Sequence, residues 1–439
     1  MDRKIFWLLV ISLITRVFYL FFEHAIWWDA AVYLSMGKYL FTSGALGFWE
    51  PIRPLLWPFL LGYGHYFGIN QVILGHILST FFSLGVIYMT YVVGSKVFNK
   101  NVGFLSAALI SFTWIFFFFN VRLYTEIPSV FFALVAVYYF LKGKYIETGL
   151  FCGLAFLTKF PQGIILVVLI LATSTYLNRA FSVFVGFGMI TLPYFIFNQI
   201  LYGSPFAILL FASEFVKHAG IWIFQEPWYY YLLSVVQHNM LFILVIPGIF
   251  FAIKKKKYLI IVLSMVFLLY FSITAHKELR FAIVFLPYLA ILASYGYTKL
   301  FKNKGLFFLI LLIFFVAQFE VISVETNPYF SFFDGKEVNG EVLITHPLSG
   351  YYVGSDATLM YFPWFNKELG DHWLNHITKN KPEYVSIDTC EGGFICNPNE
   401  LECENKRNEI IDLLETNYET IYSGGSGRCR YLIFRRSIQ

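Results

Sequence analysis

The chain has 439 residues, of which 58% are hydrophobic and 13% charged, with a formal net charge of +5 and a mean hydropathy of +0.65. A soluble domain carries about 25% charged and about 45–50% apolar residues. Composition therefore excludes a water-soluble globule and points to helices that satisfy their own backbone polar groups in lipid. Charge also divides the chain: residues 1–322 hold 22 Lys and Arg against 10 Asp and Glu, whereas 323–439 hold 10 against 17 and four of the five cysteines. A basic membrane part thus carries an acidic tail, and nucleic acid is not an expected partner.

In chain order, the run from Ile5 to Phe22 follows Arg3 and Lys4 and lacks a small-residue cleavage site, so it reads as an uncleaved signal anchor. Further spans are expected near 71–95, 103–119, 127–141, 146–158, 161–177, 181–200, 229–252, 258–275, 281–298 and 305–322, eleven in all. The apolar run from Pro54 to Phe67 holds two prolines and is short for a crossing, so it is expected to lie in the outer interface. Alternation then puts Arg3/Lys4, Lys96/Lys100, Lys142/Lys144, Arg179, Lys254 to Lys257 and Lys299/Lys302/Lys304 on the cytoplasmic side, 14 of the 22 cations. The tail falls outside. Acids have little influence on orientation, yet eight of the ten in the membrane part fall outside too, with the long loops 23–70 and 201–228. A transporter should instead place ionisable groups near the midplane; Arg16 is the clear charge within a span, toward its outer end.

Three external segments carry candidate chemistry. In the first loop, Asp29 follows Trp27 and Trp28, with Tyr33, Glu50 and Arg53 beyond. A carboxylate among aromatic rings suits a general base for a hydroxyl, with a ring wall for a sugar; the plainer reading is an interfacial aromatic belt. In RLYTEIP, Arg122 precedes Glu126, which by itself reads as a helix-start acid. AHKELRF gathers His276, Lys277 and Arg280 in an outer turn, a cluster suited to a phosphate; the plainer reading is a boundary charge cluster. Lys159 in LTKFPQG reads first as a snorkelling boundary lysine.

The tail alternates strand-like runs (Glu341 to His346, Glu383 to Asp388, Tyr418 to Tyr422, Arg430 to Phe434) with helix-like ones (Asn366 to Asn380, Asn405 to Thr416). A small extracytoplasmic α/β domain over the outer mouth is expected, with Ser426 in a loop. Cys390, Cys396, Cys403 and Cys429 lie on the oxidising side and are disulfide candidates in any of three pairings. No phosphate loop, nucleophile elbow or zinc helix occurs, and His372 and His376 have metal spacing without the accompanying Glu.

These residues resemble the GT-C superfamily of membrane glycosyltransferases, which use polyprenyl- or dolichyl-phosphate sugars. Arg16 with WWDAAVYL and RPLLWPFLL, and RLYTEIP with GLAFLTKFPQG, are similar to the protein mannosyltransferase and aminoarabinose transferase branch. HKELRF resembles the HKExRF signature of mannosyltransferases that build lipid-linked oligosaccharides and GPI anchors. The resemblance implies a GT-C-like polytopic all-α catalytic domain over 1–322, with the α/β domain over 323–439. It implies Asp29 as base, with Glu50 sharing the acidic role with Asp29, Glu126 as second acid, His276, Lys277, Arg280 and Lys159 near the donor phosphate, and Trp27, Trp28, Tyr33, Arg53 and Arg122 lining the substrate site. No cofactor and no metal are implied.

The expected activity is transfer of a hexose, mannose-type favoured, from a polyprenyl-phosphate donor to a hydroxyl of a lipid-linked glycan, with inversion, at the outer face of a plasma membrane. A protein hydroxyl is the second acceptor. A flippase for lipid-linked sugars and a catalytically idle partner presenting the tail are the readings from other classes.

Overall fold

The computed structural model describes residues 2–437 except 23, 174–175, 220–223, 323–326, 361–366, 391–392, 395 and 397–400. Glu23 at the start of the first loop, Ser323 at the expected domain boundary and Asn366 lie outside the described residues. The chain is a bundle of apolar helices followed by a small mixed sheet.

Among the described residues two helices are long and apolar enough to cross a bilayer alone, Gln71–Val97 and Leu177–Tyr202. A third span forms if Lys100–Ser111 and Trp114–Val121, bent by 61° at their junction, are taken together. The remaining apolar helices are 10–17 residues long. The sequence shows apolar runs but not their internal breaks. Thr113 bonds back to Leu109 O at 2.6 Å beside the 61° bend, a local alternative to the helical ladder. The run expected as one span over 229–252 is two helices, Tyr230–His238 and Val245–Lys254, separated at Asn239, whose side chain accepts from Leu241 N.

Helix starts follow capping chemistry: Asn70 accepts from Val72 N and Ile73 N, Asn99 from Val102 N and Asn303 from Gly305 N. Packing between helices relies on missing side chains. A Cβ on Gly149 would lie 2.0 Å from Val183 O, and one on Gly186 2.1 Å from Ile146 O, so Tyr145–Thr158 and Leu177–Tyr202 meet backbone to backbone. The outer surface is apolar, with Phe181, Met189, Leu192 and Ile200 of that long helix all more than half exposed. Such a face suits contact with lipid.

Contacts join segments that an alternating topology puts on one side. Lys304 Nζ meets Asn101 Oδ1 at 3.1 Å, and Arg179 lies over the Tyr145 ring, all in segments expected inside. Segments expected outside meet through Trp49 and Tyr202 and through the charged network below. The Pro54-to-Phe67 run folds as the short helix Leu56–Tyr66.

The sheet has order β2-β1-β3-β5-β4, with β1 Val342–Ile344, β2 Ala357–Leu359, β3 Tyr384–Asp388, β4 Tyr418–Ser426 and β5 Cys429–Arg436. The first three are mutually parallel; β5 is antiparallel to β3 and β4. Lys367–Asn380 and Leu401–Asn417 are helices. The three-residue β2 and the helix Pro347–Tyr352 are too short for a period to show in sequence. Ser426 ends β4 rather than lying in a loop, because GGSGR closes a β4–β5 hairpin with Gly425 and Gly427 at positive φ. The disulfides are Cys390–Cys429 and Cys396–Cys403. Cys152, in a helix, is buried and free.

One hydrophobic core spans both parts of the chain: Val32, Met36 and Phe48 of the first loop pack with Tyr329, Phe333, Ile344 and Val353. Gly47 lets the first loop fold back on its own helix, since a Cβ there would meet Ser35 O at 2.3 Å, and its backbone bridges to Asp356; across the shared core, a Cβ on Gly350 would meet the Phe48 ring at 2.9 Å.

Candidate active site

Asp29 sits in the first turn of the helix Trp28–Phe41, buried to 7% exposure. Its Oδ1 accepts from Arg53 Nη2 at 2.7 Å and its Oδ2 from Arg280 Nη1. Arg53 Nε is in turn bound by the fully buried Glu50. Arg280, from the turn before Leu286–Leu300, also donates to Glu278 Oε1 at 2.5 Å, lies 3.7 Å from Glu126 Oε1 and stacks over Tyr124. Lys159 donates to Glu126 Oε1 at 2.9 Å and lies over the Phe281 ring. His276 Nε2 reaches Glu278 Oε1 at 2.8 Å. Four carboxylates and three permanent cations from five distant stretches of chain thus form one network.

Burial works against charge on Asp29, but the Arg280 and Arg53 guanidinium groups outweigh it and hold the carboxyl below the usual range. Glu50 goes the other way: burial pushes its pKa up despite Arg53, and its Oε1 has no hydrogen-bond partner among the described residues.

A cavity of about 1650 Å³ opens onto this network. Asp29, Arg53, Lys159, His276, Glu278 and Arg280 line its charged stretch. Ile164, Val167, Leu209, Phe215 and Phe271 line an apolar stretch, and Trp27, Trp28 and Tyr33 face the cavity near Asp29.

The other expected site residues stand behind this lining. Glu50 holds Arg53. Glu126 holds Lys159 while also beginning the helix Glu126–Leu141. Arg122 is buried between the Trp27 and Phe118 rings, 4.3 and 4.4 Å from their centres, outside the cavity lining. Lys277 turns away and donates to Thr274 O at 2.7 Å. Arg16 is buried against Ser83 and Ser111, fixing the first helix rather than the site. His376 contacts Glu341 at 2.9 Å, and among the described residues no group of three metal-ligating side chains converges.

Sequence reading assigned no task to Glu278, Tyr124, His24 or His346, all of which line the cavity. Glu278 lies inside the HKELRF cluster, where an acid amid cations was the available signal. Nothing in the tail's sequence pointed to His346.

The fold has solved counterparts. ArnT from Cupriavidus metallidurans bound to undecaprenyl phosphate superposes with a TM-score of 0.69 at 12% identity, covering 99% of this chain and 98% of that one. The archaeal oligosaccharyltransferase AglB from Archaeoglobus fulgidus, in complex with an inhibitory peptide and a dolichol-phosphate, gives 0.65 at 12% identity, covering 99% and 74%. The fold is therefore that of the GT-C membrane glycosyltransferases. No curated protein matches the sequence. Residues 3–330 match the Alg9-like mannosyltransferase family, and the chain belongs to that family: it is a membrane-embedded glycosyltransferase.

Proposed function

We propose that the protein transfers a mannose-type hexose from a polyprenyl- or dolichyl-phosphate carrier to a hydroxyl of a lipid-linked glycan, with inversion, at the outer face of the plasma membrane. The observation that carries this reading is Asp29 facing a cavity whose one stretch is charged, with Arg280, Lys159 and His276 in its wall, and whose next is apolar. The apolar stretch suits a polyprenyl tail; Arg280, Lys159 and His276 suit its phosphate. That ArnT was solved with undecaprenyl phosphate and AglB with a dolichol-phosphate supports the same donor class.

In this mechanism the acceptor hydroxyl gives its proton to Asp29 as its oxygen bonds to the anomeric carbon. The bond from that carbon to the phosphate oxygen breaks, and its electron pair leaves with the lipid phosphate. Arg280 and Lys159 stabilise the charge developing there. Attack opposite the leaving group inverts the anomeric centre. Both cations are paired with carboxylates before the donor enters, so an arriving phosphate competes with Asp29 for Arg280. Donor binding thereby releases one oxygen of the base. The same reading puts the N-terminus in the cytoplasm and the sheet domain outside, with eleven crossings, some broken or short. No resident metal or cofactor is part of it.

The test is donor class. Protein in nanodiscs is given labelled mannose as polyprenyl-phosphate mannose or as GDP-mannose, with lipid-linked glycans and a hydroxyl-bearing peptide as acceptors. Label should pass from the lipid phosphate alone and to the glycans. Transfer from the nucleotide sugar would refute the donor, and labelled peptide would refute the acceptor. Movement of intact donor across the bilayer without transfer would favour a flippase.

A further inference from the structure

The wall of the cavity contributed by the C-terminal domain has no part in the donor chemistry. It includes Asn327, Phe330, Ser331, His346, Leu348 and Tyr352, none of them charged in a neutral site. It therefore suits a neutral, hydroxyl-bearing ligand better than a phosphate.

His346 is 7% exposed and follows β1. Its Nδ1 accepts the backbone N–H of Leu348 at 3.1 Å. Burial keeps the ring neutral, its pKa pushed down to about 3. A neutral imidazole accepting at Nδ1 carries its proton on Nε2. Nε2 has no protein partner among the described residues, while the residue faces the cavity. The ring is set edge-on to Trp28, centroids 4.8 Å apart, and lies 4.6 Å from Phe330. Trp28 immediately precedes Asp29 in the same helix. A fixed hydrogen-bond donor flanked by two aromatic rings, one residue along from the base, matches what a carbohydrate ring requires: apolar faces to cover its C–H surface and a donor for an oxygen.

We infer that His346, Phe330 and Trp28 form the acceptor subsite, with His346 Nε2–H donating to an oxygen of the acceptor sugar and so presenting a second hydroxyl to Asp29. This deepens the proposed function and rests on its glycan acceptor. It assigns the C-terminal domain the acceptor and the membrane helices the donor.

His346→Asn tests this, because a carboxamide oxygen keeps the cap on Leu348 while its N–H, on a shorter side chain, falls short of the position of Nε2; His346→Gln returns an N–H at greater reach. Protein in nanodiscs receives labelled polyprenyl-phosphate mannose with octyl mannoside, octyl glucoside or octyl N-acetylglucosaminide, and mannose transferred to sugar and to water is counted separately. His346→Asn should lower transfer to the glycoside about tenfold, the size of one hydrogen bond, with release to water within twofold of wild type and partial recovery in His346→Gln. Unchanged transfer to glycoside in folded His346→Asn overturns the subsite. So does wild-type protein that releases mannose to water yet uses none of the glycosides. Wild-type protein that releases mannose to neither overturns the lipid-donor reading itself, and the subsite with it.

Discussion

A carboxylate gripped by two guanidinium groups is a weak base, and Asp29 is held in that state by Arg53 and Arg280. The sign follows from its lowered pKa: the charged form, and the stability its ion pairs contribute, persist above the unfolded carboxyl value of about 3.9 and are lost as pH falls through the lower folded value. If the donor phosphate draws Arg280 away, the base strengthens on binding. The acid limb of kcat should then rise toward the range between pH 4 and 8 in which rates are read, while kcat/KM for the donor stays flat there; a kcat as flat as kcat/KM would show that Asp29 keeps both partners through the reaction. Arg280→Lys keeps a charge but loses the fork that spans Asp29, Glu278 and Glu126. It should cut kcat by about 10²-fold or more, measured at saturating donor. Glu278→Gln removes the acid that positions Arg280 and His276; donor kcat/KM should drop about tenfold, while acceptor KM stays put.

At the scale of elements, the sequence showed where apolar runs begin and end but not where they bend. Asn, Thr and Gly inside such runs have effects set by neighbours the linear pattern does not contain. Asn239 interrupts a run because its side chain captures Leu241 N, whereas Asn198 sits within the uninterrupted helix Leu177–Tyr202 and reaches Pro205 O. The glycines divide the same way. Gly186 is pressed on Ile146 O, whereas a Cβ on Gly188, two residues on, meets nothing within 4 Å. Gly186→Val should lower the thermal midpoint in detergent by several degrees and Gly188→Ala should leave it unchanged or raise it. Equal shifts in the two would mean these helices do not pack as closely as described.

For the whole molecule, charge sidedness carried most of the information in the sequence. Segments expected outside and far apart in the chain supply Asp29, Arg53, Glu126, Lys159, Glu278 and Arg280, and the structure joins them in one network. What could not be read was which residues face the cavity: Lys277 and Arg280 share one short motif, yet Lys277 is tied to Thr274 O and Arg280 to Asp29. The tail's strands were legible from alternation, but its shared core with Val32, Met36 and Phe48 was not, since that core depends on Gly350 of the tail leaving room for the Phe48 ring. A chain ended at residue 322 would expose those three residues beside the base. It should express as aggregate or lose transfer entirely, scored by size-exclusion profile and activity together.

The central claim is that Asp29 activates the acceptor for attack on a lipid-phosphate sugar. Its most direct test compares Asp29→Asn with wild type in a single-turnover transfer from polyprenyl-phosphate mannose, with folding checked by size exclusion. The expected result is a fall of about 10²–10⁴-fold in transfer with the donor still bound. A folded Asp29→Asn protein transferring at the wild-type rate would contradict the account.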